Sequence, residues 1–369
     1  MKPKPDDRLR LSLVCHSEEA FAKHGRYRTM TLAQARKIRD LDGEERFYSR
    51  LAGVIYHNLS VTYHLVRHCA DQDIQGLRIS ADIFPLMSTD IIGGATLTTA
   101  FHPHEAEQIK LACYAIGQAA RERKVRLSFH GSHYISLTSE DPIKVRNSIK
   151  DLSILAQFLD LAEMPASPEA PINIHIRGEK RSPVDIARAF RARWSWLPLG
   201  VQRRLVVEQN DNPEGAWKLE RLIKMIHEPL GIPLTFDTLH QQRLPGALTD
   251  REAFCLAWET WPCEPLFHYS DGREVEGASL LPSPIHRDLP VRLPPDYGLP
   301  VMWDVEFKAK KEAIDHLRSL EGIHRLWVSD SYEPPRYWKS PDLSRVPFPD
   351  GLGETYTTVK FPHISLDGK

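Results

Sequence analysis

Six short apolar runs of this chain each end in a residue that binds divalent metal ions well. Val125-Arg126-Leu127-Ser128-Phe129 ends at His130, Ile172-Asn173-Ile174 at His175, Leu205-Val206-Val207 at Glu208, Leu234-Thr235-Phe236 at Asp237, Leu266-Phe267 at His268, and Val301-Met302-Trp303-Asp304-Val305 at Glu306. His240 follows Asp237 across Thr238-Leu239, close enough to reach the same place. One such ending means little. Six in order, mostly separated by segments of helix length, point to parallel strands whose carboxyl ends converge. Imidazole mixed with carboxylate suits Mn, Zn or Fe, and a carboxylate such as Glu208 on a middle strand can bridge two ions. Taken singly, a His near a strand end is more often a hydrogen-bonded structural histidine than a ligand. The set resists that reading, because a buried unpaired charge costs roughly several kcal/mol and divalent cations would neutralise the whole group. Asp82, just past the second strand, is a weaker candidate.

The elements that must position these residues follow from two alternating periodicities, short β-branched runs and longer stretches with apolar residues at three-and-four spacing. The first strand reads Leu9 to Cys15 and the second Leu77 to Ser80. Helices are expected over Glu44 to Ala70, His104 to Arg123, Glu140 to Leu161 behind a Ser139 cap, and Pro183 to Trp194. Further helices are expected over Ala216 to Ile226, Asp250 to Trp261 and Lys308 to Leu320. Eight strands alternating with helices predict an α/β chain folded as a (β/α)₈ TIM barrel. A doubly wound sheet would carry a Gly-rich phosphate loop after the first strand, whereas Cys15 to Tyr27 holds the single Gly25. The barrel is expected to occupy residues 1–327. Residues 328–369, rich in Pro and aromatics such as Tyr332, Pro335 and Trp338, read as an irregular C-terminal extension packed on it.

Bulk properties narrow the class. A hydrophobic content of 41% and a charged content of 26% are those of a globular chain, and a net charge of -1 gives no global nucleic-acid signal. A local basic rim stays open, with Arg78, Arg177, Lys180, Arg181, Arg287, Lys308 and Lys310 as candidates, while Arg203-Arg204 falls at the opposite pole. The five cysteines are odd in number and irregularly spaced, which speaks against a disulfide framework or a thiolate zinc motif. The polar start Met1-Lys2-Pro3-Lys4-Pro5 and the lack of a long apolar stretch lead to the expectation of a soluble, cytoplasmic protein.

With these residues in place, the chain resembles the UV damage endonuclease family from about Arg8 to Ala313. The likeness is carried by Leu77-Arg78-Ile79-Ser80-Ala81-Asp82-Ile83-Phe84-Pro85, Leu127-Ser128-Phe129-His130 with Tyr134, Asn173-Ile174-His175 and Val206-Val207-Glu208-Gln209-Asn210-Asp211. It continues through Phe236-Asp237-Thr238-Leu239-His240, Phe267-His268 and Val305-Glu306-Phe307-Lys308-Ala309-Lys310-Lys311-Glu312. The resemblance implies a metal-dependent barrel, related to endonuclease IV-type apurinic endonucleases, that cuts double-stranded DNA on the 5′ side of a distorting lesion. By that likeness His130, His175, Glu208, Asp237, His240, His268 and Glu306 are metal ligands, with His286 as a further one. Up to three divalent ions, Mn²⁺ or Zn²⁺, are implied. Glu208 and Lys308 are the expected catalytic residues, and His133, Tyr134 and Arg78 the expected contacts to DNA or lesion.

The sequence departs from the family at four places. Leu13 stands where the family has a Tyr, Leu266 replaces a lysine two residues before the strand-seven His, Thr89 replaces a His, and His133 replaces a Gln. A chain so altered around its ligands leaves room for a second reading, a sugar isomerase or small-molecule hydrolase on the same barrel.

Overall fold

The structure is a computed structural model that describes residues 9–93, 96–177, 181–211, 217–273 and 283–328, with side chains to 321. Eight strands form its centre: β1 (Arg10–Val14), β2 (Gly76–Ser80), β3 (Arg126–His130), β4 (Ile172–His175), β5 (Leu205–Glu208), β6 (Leu234–Thr235), β7 (Leu266–Tyr269) and β8 (Met302–Val305). All neighbours pair in parallel in the order β6-β5-β4-β3-β2-β1-β8-β7. One further parallel bridge, Asp237 to His268, joins β6 to β7, with the His268 N–H donating to the Phe236 carbonyl at 3.0 Å. The ring is closed and the TIM barrel is the fold.

These strands are short and nearly continuous in apolar residues because helices cover their outer faces. Along β8, Trp303 and Val305 point outward, and the Trp303 ring lies 6.0 Å from Phe254, 6.0 Å from Phe267 and 5.9 Å from Tyr269. The intervening Asp304 therefore faces inward, and so does Glu306 one step on. Gly76 is small for the same geometric reason: a Cβ there would sit 2.7 Å from Ser12 Cβ and 2.9 Å from Met302 Sδ. The barrel interior has no space for it.

The outer layer comprises α1 (Glu18–His24), α2 (Leu32–Asp42), α3 (Glu44–Asp71), α4 (Pro103–Arg123), α5 (Pro142–Leu161), α6 (Pro183–Trp194) and α7 (Leu199–Gln202). It continues with α8 (Leu219–Leu222), a π-helical turn (Ile223–His227), α9 (Glu228–Leu230), α10 (Thr238–Arg243), α11 (Asp250–Glu259) and α12 (Lys311–Val328). Most expected helices appear within a few residues of their expected bounds. Helix α5 is capped by Asp141 rather than Ser139: Pro142 takes the first helical position, and the Asp141 carboxylate accepts the Ile143 N–H at 2.8 Å. Helix α12 starts at Lys311 rather than Lys308, after Lys310 turns through a positive φ of 52°. Among the described residues no helix separates β7 from β8. The described parts of that connection, 270–273 and 283–301, run as irregular chain and carry His286.

The amino-terminal end of the barrel is held by two guanidinium groups, one buried and one half-buried. Arg204, 1% exposed, donates to the carbonyls of Pro165 and Met164, both at 2.9 Å, and to Asp160 at 2.7 Å. Arg126 donates to the carbonyls of Glu169 and Glu264, both at 2.8 Å, and of Pro168 at 2.6 Å. Among the described residues no helix is long and apolar enough to cross a membrane. The Pro-rich extension, 329–369, lies outside the described residues.

Candidate metal centre

Glu208 ends β5 in the barrel mouth and is 1% exposed. Four imidazoles converge on its carboxylate. His130 Nε2 lies 3.0 Å and His175 Nε2 3.6 Å from Oε2, while His268 Nδ1 lies 3.1 Å and His240 Nε2 3.5 Å from Oε1. The parallel register sets His175 of β4 level with Glu208 of β5, and Asn173, inward on the same strand, donates its amide to Oε2. The Asp237–His240 spacing also has a local cause. Asp237 is the N-cap of α10 and its Oδ1 accepts the His240 N–H at 2.7 Å, so the cap fixes where the imidazole emerges. On the far side of that ring, Nδ1 lies 3.2 Å from Asp211, which also pairs with Arg243.

A second carboxylate cluster abuts the first. His268 Nδ1 is 3.3 Å from Glu306 Oε1 and 4.0 Å from Asp237 Oδ2. Three donor sets result, His130–His175–Glu208, Glu208–Asp237–His240 and Asp237–His268–Glu306, each with its ligand atoms within 4.8 Å of one another. They share Glu208 and Asp237. The sets therefore form a continuous chain of donors rather than separate pockets.

Electrostatics separate the members. Burial pushes His175 down to about 4, so its imidazole is neutral with a lone pair to offer. Burial pushes Asp237 up to about 7. For Glu208 burial again opposes the charge, but His175, His268 and the hydrogen bonds outweigh it and hold the carboxyl well below the usual range. Glu306 is likewise held low, with Arg78 and His268 prevailing over burial. Against the same burial, His240 is raised to about 10 by Asp237, Asp211 and Glu208, and His268 to about 9 by Glu208 and Glu306. Nδ1 of His175 is buried without a hydrogen-bond partner, whereas Nδ1 of His240 and of His268 face carboxylates. Ring nitrogens and buried carboxylates converging within 4.8 Å of one another fit a divalent ion of the Mn²⁺ or Zn²⁺ kind.

The profile of the family described as UV-endonuclease UvdE matches residues 9–330. The chain belongs to this family. The UV DNA damage endonuclease of Nostoc sp. is 30% identical over 317 residues, 84% of this chain and 89% of that protein. That of Deinococcus radiodurans is 30% identical over 318 residues, covering 84% and 94%. The crystal structure of SacUVDE shares the fold, with a TM-score of 0.67 at 21% identity over 86% of this chain and 99% of that one.

In this UvdE-family chain the seven strand-end and loop residues His130, His175, Glu208, Asp237, His240, His268 and Glu306 are gathered in one mouth. His286 is in none of the three sets. It hangs from the β7–β8 connection, where its backbone bridges to Gly272, and its Nδ1 is buried without a partner. Arg78 departs from the expectation of a rim cation. Its side chain is buried inside the mouth, ion-paired to Glu306 and 3.7 Å from Asp304, and these carboxylates compensate its charge. Lys308 is exposed just past β8, and its N–H donates to the Arg287 carbonyl at 3.0 Å.

A cleft of about 350 Å³ opens beside the centre, lined by Arg78, Asp82, His130, Tyr134, His175 and Arg177 among others. On its lip the His133 and Tyr134 rings lie 3.9 Å apart, and Tyr134 is 76% exposed. An exposed aromatic pair beside buried donors is the geometry of a stacking platform. Lys180 lies outside the described residues, and Arg181 is turned back to the Thr138 carbonyl. At three departures from the family pattern the side chain lies off the donor cluster: Leu13 and Leu266 are core residues, and Thr89 Oγ1 donates to the Leu86 carbonyl at 2.6 Å.

Two participants were not singled out from the sequence. Asp211 carries the outer nitrogen of His240, and Asp304 lies under both Arg78 and His268. The period of two along β8 is the signal that finds Asp304, two residues before Glu306 on the same face.

Proposed function

We propose that this chain is a divalent-metal-dependent DNA repair endonuclease that hydrolyses the phosphodiester on the 5′ side of a UV photoproduct or other distorting lesion. The observation that carries the reading is the chain of three overlapping donor sets through Glu208 and Asp237 in the mouth of a UvdE-family barrel. The residues that would hold up to three ions are His130, His175, Glu208, Asp237, His240, His268 and Glu306, with His286 on the β7–β8 connection as a further candidate. Mn²⁺ and Zn²⁺ both suit them. Bound ions would supply hydroxide near neutral pH and positive charge for the phosphate oxygens.

The protein's own contribution is positional. Glu208 offers one carboxylate oxygen to the His130–His175 side and the other to the His240–His268 side. Asp237 both caps α10 and belongs to two donor sets, so backbone geometry and ligand geometry are fixed by one side chain. His133 and Tyr134 present ring faces at the lip, where an unstacked base of damaged duplex would lie against them. Lys308, exposed beyond Glu306, would meet a backbone phosphate.

The decisive assay is nicking of supercoiled plasmid with and without UV irradiation, in the presence of Mn²⁺, followed by mapping of the nick. Cutting confined to irradiated plasmid and mapping 5′ to photoproducts is the expected result. Irradiated plasmid left intact by fully metallated protein would overturn the reading.

A further inference from the structure

Beneath the donor sets lies a carboxylate that belongs to none of them. Asp304 is fully buried in β8, and neither of its oxygens has a hydrogen-bond partner among the described residues. Its neighbours are cationic or polar groups of the mouth: His268 Nε2 at 3.6 Å and Arg78 Nη1 at 3.7 Å. The register sets it level with His268 on β7 and with Ser12 on β1. It thus stands behind His268, on the side of the ring away from Glu208 and Glu306, which Nδ1 faces at 3.1 Å and 3.3 Å. It also stands behind Arg78, whose Nη1 is the atom that pairs with Glu306.

We propose that Asp304 is a positioning residue of the metal centre, a proposal that rests on the metal-dependent reading above. A carboxylate behind Nε2 favours the tautomer with its proton there, which leaves the Nδ1 lone pair directed at the donor set. The same carboxylate shares Arg78 with Glu306 and so limits how far the guanidinium can draw Glu306 out of its set. Both contacts are a few tenths of an ångström longer than a hydrogen bond. A small inward movement of either partner would close them. A neutral side chain at this position could fill the volume but would supply neither influence.

The test is Mn²⁺ titration of metal-free protein by calorimetry, comparing wild type with Asp304→Asn and recording the melting temperature of each metal-free form. The expected result is Mn²⁺ affinity weakened on the order of 10- to 100-fold in the variant. Unchanged affinity with only a shifted melting temperature would reduce Asp304 to a structural counter-ion of Arg78 and overturn the proposal, leaving the proposed function standing. Wild-type protein that binds no divalent ion would overturn both. Nitrogen-15 NMR of the Zn²⁺-loaded wild type tests the same point without any variant. The tautomer of His268 should carry its proton on Nε2, and a proton on Nδ1 would refute the assignment.

Discussion

The two ends of this barrel solve the burial of charge in opposite ways. At the amino-terminal end, Arg126 and Arg204 are enclosed by carbonyl oxygens from the chain itself, with donor–acceptor distances of 2.6 to 2.9 Å. At the mouth, carboxylates of Glu208, Asp237, Asp304 and Glu306 crowd together around the imidazoles of His130, His175, His240 and His268. The first arrangement is complete without anything from outside. The second would be completed by the divalent ions of the proposed function. A buried charge is therefore not by itself a sign of function, and what distinguishes the two ends is whether the protein supplies the partner.

The comparison is broken most severely at Glu208. Glu208→Gln removes the carboxylate on which four imidazoles converge, so nicking should fall by about a thousandfold and bound metal should be largely lost. Elemental analysis and the plasmid assay read this, and a variant that kept its metal would remove the distinction between the ends. Arg204→Met should do the reverse. Loss of four donor contacts at a fully buried site should lower stability by about 2 to 3 kcal/mol in urea unfolding, with metal bound per folded molecule unchanged. A smaller and separate effect is expected at the lip. Tyr134→Ala should weaken binding to an irradiated oligonucleotide about tenfold, leaving metal content and melting temperature at wild-type values, since the ring is exposed.

The mouth was more legible in the sequence than the groups that support it. Strand-end ligands such as His130, His175 and Glu208 stand out because each terminates a short run that is otherwise apolar, and polarity there breaks a local pattern. Asp304 breaks the pattern too, but inside a run whose outward face is Trp303 and Val305, and the sequence alone reads it as strand interior. Arg78 could be seen as a charge near the mouth, but not as a buried one. Its partner Glu306 is 228 positions away, and only the closure of β1 onto β8 brings the two together. Helix positions were legible from periodicity, whereas starts were not always so. At α5 the position of Pro142 decided between Ser139 and Asp141 as cap. The described parts of the β7–β8 connection form no helix, and His286 is recommended by the family resemblance alone.

One feature of the barrel's closure bears on how the protein holds itself together. β2 and β3 pair over five residues, whereas β6 meets β7 through the lone bridge of Asp237 to His268. Those two residues also belong to one donor set with Glu306. An ion held there would act as a rivet across the weakest joint of the ring, so removing it should loosen that joint before any other. Chelation is expected to lower the melting temperature and to speed amide exchange at 234–237 and 266–269 while β2 and β3 stay protected. Hydrogen exchange resolved by peptide, with and without chelator, measures this directly. Uniform loss of protection around the ring would mean that the joint closes without help from the metal.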